Sequence, residues 1–251
     1  MTSRILVTGG TGTLGHLVVS LLNEADNKII ILSRHGHPPV GGVEYVIGDL
    51  LKGEGIEPAV DGSEIIVHLA GGPKGDEVAA ANLMRVAARA EVRHVVLISV
   101  VGADRVPIGY FRSKLGAERV VMGSGVPWTT LRATQFHDLV LKVAAAMAKL
   151  PVIPIPSGIR FQPIEAGEVA SRIAELALDE PRGLVEDVAG PRIYETRELM
   201  RSYLSAAGRH RLMMPMPLPG KGARALRAGA NLAPGRAVGL RTWEEFLAAH
   251  F

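Results

Sequence analysis

Thr8-Gly9-Gly10-Thr11-Gly12-Thr13-Leu14-Gly15 follows directly on the apolar run Ile5-Leu6-Val7 and opens a stretch with helical periodicity. A strand, a glycine-rich turn and a helix in that order aim unpaired N–H groups and the positive end of a helix dipole at one point, which suits an anion. Gly9 permits a tight turn, Gly12 lets backbone amides approach a diphosphate, and Gly15 lets helix pack closely on strand. The spacing is Gly-x-x-Gly-x-x-Gly, one residue longer in its first gap than the dinucleotide fingerprint Gly-x-Gly-x-x-Gly. No Gly-Lys-Ser/Thr ending follows, so no lysine is set for a terminal phosphate and the nucleotide-hydrolysing P-loop is excluded.

Outward from this turn, short apolar runs alternate with amphipathic stretches, the βαβα order that builds a parallel sheet covered by helices on both faces. Strands are expected near Arg4 to Val7, Lys28 to Leu32, Glu44 to Val46, Glu64 to Leu69, Val92 to Ile98 and Pro127 to Arg132. Helices fall between them, at Thr13 to Asn23, Val78 to Ala90 and Tyr110 to Met122, each with an apolar stripe. The fold class is therefore α/β, a doubly wound parallel sheet. After Arg132 the rhythm loosens. A helix over Gln135 to Leu150 leads to Pro151-Val152-Ile153-Pro154-Ile155-Pro156, an edge strand or extended loop, since recurring prolines remove ladder donors. Beyond it come a helix at Ala166 to Leu178, a strand at Leu184 to Val188, a helix with Thr196 as N-cap, and a last helix opened by the capping box Thr242-Trp243-Glu244-Glu245. Residues 1–150 read as the dinucleotide-binding domain, its sheet completed by parts of 151–190, and 151–251 as a smaller C-terminal lobe. Met213 to Gly239, rich in Gly, Pro and Ala, reads as mobile or ordered by a partner.

With 251 residues and 47% hydrophobic content the chain can bury a full core. It has no cysteine, which excludes disulfides, thiolate catalysis and cysteine-ligated zinc. Met1-Thr2-Ser3-Arg4 runs straight into the first strand with no leader, and no uncharged apolar stretch of about eighteen residues occurs. The expectation is a cytoplasmic protein with no membrane partner. Net charge is +3, and residues 191–251 hold ten basic against four acidic groups. That basic tail has little aromatic interleaving, so it reads as a solvated face and not as a nucleic-acid surface.

The second strand ends at Leu32-Ser33-Arg34-His35, where a carboxylate would accept bonds from a ribose 2′-hydroxyl. A hydroxyl and a guanidinium stand there instead, donors suited to a phosphate, so NADP is expected over NAD. Gly48-Asp49-Leu50 ends the third strand, where Asp49 is in reach of an adenine edge and Leu50 lies beside it. Ala70-Gly71-Gly72 ends the fourth with room for a cofactor; either segment reads equally as an ordinary loop.

With Thr8 to Gly15, Arg34, Gly48-Asp49-Leu50, Ala70-Gly71 and Tyr110-x-x-x-Lys114 in view, the chain resembles the short-chain dehydrogenase/reductase superfamily, and within it the atypical NmrA-like, NAD(P)H-binding branch. The resemblance spans about residues 1–190. It implies NAD(P) lying across the carboxyl ends of the strands and a substrate cleft closed by the C-terminal lobe. It further implies Tyr110 as proton donor or acceptor, and Lys114 holding the nicotinamide ribose while lowering the phenol's pKa. Four residues apart on a helix, the two share a face. The superfamily's serine has only Ser99 as a candidate, followed by Val100 and Val101. If the usual place lies two residues on, Val101 stands there and substrate polarisation needs another donor, or turnover is lost.

Around a substrate, Gln135, Phe136 and His137 follow the sixth strand's carboxyl end, and Phe161 is a candidate opposite wall. His137 reads either as a general acid or, at a helix start, as a capping or surface residue. Asn82 is a support near the site or a solvated side chain. The histidines form no metal-binding set, and no metal is expected. The leading expectation is an NADPH-dependent reductase of a small, fairly apolar carbonyl, enone or imine. Its rivals are a non-catalytic NADP(H) sensor with a protein partner, and an NAD(P)-dependent epimerase or isomerase. Substrate identity and oligomeric state are not written in the sequence.

Overall fold

The computed structural model describes residues 3–38 and 41–251. Along the chain run β1 (Arg4–Thr8), α1 (Thr13–Glu24), β2 (Lys28–Ser33), β3 (Glu44–Ile47), α2 (Ile56–Val60), β4 (Ile65–His68), α3 (Asp76–Arg89), β5 (His94–Val100), α4 (Gly109–Met122) and β6 (Trp128–Ala133). Then follow α5 (His137–Met147), β7 (Val152–Pro156), β8 (Arg160–Phe161), α6 (Ala166–Leu178), β9 (Gly183–Leu184), β10 (Tyr194–Glu195), α7 (Thr196–Ala206), β11 (Leu212–Met216), α8 (Lys221–Arg227) and α9 (Trp243–Ala248). Two compact units result. One comprises Met1–Ser99, Gly109–Arg132 and Val169–Glu186, the other Val100–Ile108, Ala133–Glu168 and Asp187–Phe251, so the chain does not divide at a single point.

The first unit is built on a seven-stranded sheet in the order β3-β2-β1-β4-β5-β6-β9. Its strands pair in parallel, with Val7 beside Ile31 and Val67. Ile5, Leu6 and Val7 have no exposed surface, as a strand covered on both faces requires. Helix α1 turns Leu14, Val18 and Leu22 inward, one stripe at a four-residue repeat. The core on one side of the sheet joins Leu6, Ile30 and Ile66 to Leu83 and Val121 of the covering helices. The strand order reverses about β1, whose neighbours are β2 and β4. That reversal opens a crevice at their carboxyl ends, the place where such sheets take ligands.

The second unit has its own core of Ile153, Ile155, Tyr194, Leu199, Tyr203, Trp243 and Phe246. Pro151 to Pro156 resolves into a strand, β7, paired in parallel with β11. Met213 to Gly239 is ordered by the chain itself, against expectation. It carries the end of β11, helix α8 and a 3-10 turn at Pro234–Arg236. Its bonds are non-local: Ala233 N–H donates to Gln162 Oε1 at 3.0 Å and Asn231 Nδ2 to the Arg160 carbonyl at 2.9 Å. Composition could not show partners so distant in sequence. Thr196 is not an N-cap either. Glu195 holds that position, and Thr196 Oγ1 donates to the Ile159 carbonyl at 2.9 Å. The strand expected at Leu184 to Val188 shortens to Gly183–Leu184, with one further bridge from Val188 to Ala133. Thr242 does form its capping box with Glu245.

Candidate functional site

The turn after β1 is tight because Gly9 takes φ +73°, and a Cβ there would lie 2.6 Å from the Ala70 amide nitrogen. A side chain at Gly15 would run into the Gly9 carbonyl. The turn, β4's exit and the start of α1 therefore close on one another only with glycine at both places. Gly12 is the N-cap of α1 and offers no side-chain cap, so the N–H groups of Thr13, Leu14 and Gly15 face outward unpaired. Leu14's side chain is buried, leaving its amide as its contribution. Thr8 departs from expectation: its buried hydroxyl bonds His68 Nδ1 at 2.6 Å and accepts the Ala70 N–H, so it braces the turn from behind. Gly10 lies against Ile31.

In front of the turn lies a cleft of about 590 Å³, lined by Gly9, Thr11, Ser33, Arg34, Leu50, Ala70, Gly71 and Gly72. Among the described residues Arg34 has no hydrogen bond or ion pair, which leaves its guanidinium free to take an anion. Ser33 Oγ accepts the His35 N–H and keeps its own proton to donate. His35, His37 and Lys74 line the same cleft. The sequence reading assigned none of them there; the signal was the basic run Arg34-His35-Gly36-His37 read as a whole. Asp49 is not on the cleft. Its carboxylate accepts the N–H of Leu51 at 2.8 Å and of Lys52, folding the loop that presents Leu50. Asn82 Nδ2 donates to the Leu50 carbonyl at 2.7 Å and fixes that loop from α3.

The pair Tyr110 and Lys114 sits on α4 as the spacing requires, but the lysine is claimed elsewhere. Lys114 Nζ lies 2.9 Å from Asp76 Oδ2, with side-chain exposures of 11% and 4%. Asp76 Oδ1 accepts the Gly72 N–H at 2.9 Å, and its own N–H donates to Ser113 Oγ. The ammonium is thus held directly beside Gly71. Burial first, and then the Asp76 charge, hold the Tyr110 phenol above its ordinary pKa. The expected lowering by Lys114 does not appear, and the charge that acts on the phenol is the Asp76 carboxylate. Behind this pair, burial and then the Lys114 charge pull His68 down to about 4, so it is neutral at physiological pH. Ser99 is buried at the end of β5, and its hydroxyl has no hydrogen-bond partner among the described residues.

In the second unit, Gln135 and Phe161 meet on a groove of about 130 Å³ walled by Leu139, Val143, Met147, Leu199 and Met200. Gln135 Oε1 is enclosed there without a partner. His137 is neither a cap, a surface residue nor on that groove. It is fully buried, with its ring 4.9 Å from Phe246 and 5.9 Å from Trp243, and Nδ1 is 3.7 Å from Glu165 Oε2. Burial lowers its pKa, against the pull of Glu165, which marks a core histidine. Half-buried Phe136 is the N-cap residue of α5. Among the described residues no cluster of possible metal ligands occurs, and no helix is long and apolar enough to cross a membrane.

A seven-stranded parallel sheet with an open helix N-terminus and an arginine at its switch point defines a nicotinamide-dinucleotide-binding fold. The family model described as NAD(P)H-binding matches residues 9–148, and the chain belongs to that family. Curated relatives include an NAD(P)H azoreductase of Xenophilus azovorans, 30% identical over 82% of this chain and 74% of its own length. A (4-alkanoyl-5-oxo-2,5-dihydrofuran-3-yl)methyl phosphate reductase of Streptomyces griseus is 29% identical over the same shares. The NADPH complex of a quinone oxidoreductase from Escherichia coli shares the fold, with a TM-score of 0.81 at 19% identity over 98% of this chain and 99% of that one.

Proposed function

We propose that the chain is an NADPH-dependent reductase of a small, fairly apolar acceptor, close to the atypical short-chain dehydrogenase/reductases. The observation that carries this reading is the Arg34 guanidinium, without a partner among the described residues, on the same cleft as the open α1 N-terminus. The amides of Thr11 and of Thr13 to Gly15 would hold a diphosphate, Ser33 and Arg34 a 2′-phosphate, and Leu50 with Ala70 to Gly72 the walls around them, while the Gly12 N–H closes the turn on the Gly9 carbonyl. Bound NADPH supplies a hydride. Lys114, fixed by Asp76 beside Gly71, would donate to a ribose hydroxyl. Tyr110 keeps its proton near neutral pH, which fits a donor in reduction better than a base in oxidation. A carbonyl, enone or imine remains the acceptor class. The relatives' names make azo compounds and quinones the first acceptors to assay.

One observation favours cofactor sensing without turnover: Lys114 is committed to Asp76 and does not tune Tyr110. Calorimetric titration with NADPH and NADH in parallel tests the cofactor. Arg34→Ala should weaken NADPH at least about tenfold, the value of one charge-assisted contact, and leave NADH within about twofold. Equal weakening of both overturns the 2′-phosphate assignment. Tyr110→Phe should abolish acceptor reduction at unchanged NADPH affinity. A wild type that binds NADPH and reduces no azo, quinone or carbonyl acceptor supports the sensor.

A further inference from the structure

The two-stranded sheet of the second unit has an outer face that the reductase reading does not use. Strands β7 and β11 run in the register Val152↔Leu212, Pro154↔Met214, Pro156↔Met216. Side chains alternate along a strand, so Ile153, Ile155 and Met213 turn inward onto the core. The six residues of that register share the other side. Leu212 is 75% exposed and Met214 56%. A sheet face turned to water ordinarily carries polar residues, and an apolar one of this extent marks a contact surface.

The charge around it is predominantly positive, although Glu195 shares a hollow with Arg197, Pro156 and Pro215 at the end where the strands finish. From Leu199 to Trp243 the sequence has eight lysines and arginines and no aspartate or glutamate; from Leu139 to Ile164 it has three and none. Lys149 and Arg209 to Arg211 are exposed at the end where both strands begin, joined by Arg211 Nε donating to the Ala148 carbonyl at 3.2 Å. Arg201, Arg209, His210 and Arg211 line a hollow of about 500 Å³ that continues onto Leu212.

We infer that this face docks on the surface of an anionic lipid bilayer, with Leu212, Met214 and Met216 in the boundary between headgroups and acyl chains and the flanking cations on lipid phosphates. Apolar side chains flanked at one end by lysine and arginine match that boundary. A nucleic acid would meet the cations but offers nothing to Leu212 and Met214. Strand addition by a second copy is opposed by Pro154, Pro156 and Pro215, which take N–H donors out of both strands. The contact is peripheral, since no described helix can span. It stands independently of the reductase reading.

Cosedimentation of the full chain with vesicles tests it, using phosphatidylcholine alone or with about one third phosphatidylglycerol. Binding is expected to the anionic vesicles only. Lys149→Gln with Arg209→Gln should weaken it about twenty-five-fold, at about fivefold per cation. Leu212→Thr with Met214→Thr should weaken it at least about tenfold at unchanged Tm; Leu212→Gln alone replaces this pair should it fail to fold. The inference is overturned by a wild type that stays in the supernatant, or by threonine variants that bind as tightly as wild type through charge alone. A dimer in light scattering that the threonine variants dissociate overturns it too, by assigning the face to a second copy.

Discussion

Asp76→Asn removes one charge from a pair the fold has buried and leaves the other in place. The carboxylate and the Lys114 ammonium stand 2.9 Å apart, with 4% and 11% of their side chains exposed. Breaking such a pair from one side costs about 3–5 kcal/mol, most of it the desolvated charge left behind. Lys114 keeps some access to water, so the lower figure applies. At roughly 2–4 °C per kcal/mol for a chain of this length, Tm should fall by about 6–12 °C. Asparagine retains Oδ1 for the Gly72 N–H, so the loss reports the charge and not the backbone contact. Combining Asp76→Asn with Lys114→Met should restore more than half of the lost stability, since no ammonium is then left unpaired. Thermal unfolding of the four proteins in the cycle measures this. Ultraviolet titration of the phenols, with Tyr110→Phe as reference, should show Tyr110 ionising at lower pH once the carboxylate is gone. A Tm within about 1 °C of wild type, or a double variant as unstable as the single one, would refute the clamp.

His68 is neutral in the folded chain, with its pKa lowered from 6.5 to about 4. The unfolded chain binds more protons between those values, so stability should be full above pH 6.5 and fall toward pH 4, by about 2 kcal/mol at pH 5. Urea unfolding at pH 7.5 and pH 5 checks this, and His68→Gln should flatten the dependence; a steeper fall in the variant speaks against it. Gly9→Ala forces an L side chain to φ +73° against the Ala70 amide, so NADPH affinity should drop at least about tenfold in calorimetry. Thr242→Ala should cost about 1 kcal/mol in chemical denaturation, the worth of one N-cap hydrogen bond.

The local features were legible before the fold. Apolar runs at strand spacing, the glycine turn and the capping box at Thr242 each depend on residues a few places apart, and the chain's own stereochemistry decides them. The second unit was less legible. The order of Met213 to Gly239 rests on bonds from Gln162 and Arg160 more than seventy residues away, and no periodicity records such partners.

The same division runs through the site. Sequence alone called for a turn whose amides open toward an anion at the start of the first helix, because a turn without side chains has few other shapes, and set Arg34 at the end of the neighbouring strand. Only tertiary packing decided where charges come to rest. The spacing of Tyr110 and Lys114 set them on one face, but Asp76, brought in from another helix, took the lysine; His137 read as a general acid or as a capping or surface residue until Trp243 and Phe246 enclosed it. Electrostatic environment is a property of distance in space, and distance in space is what a linear sequence leaves unstated.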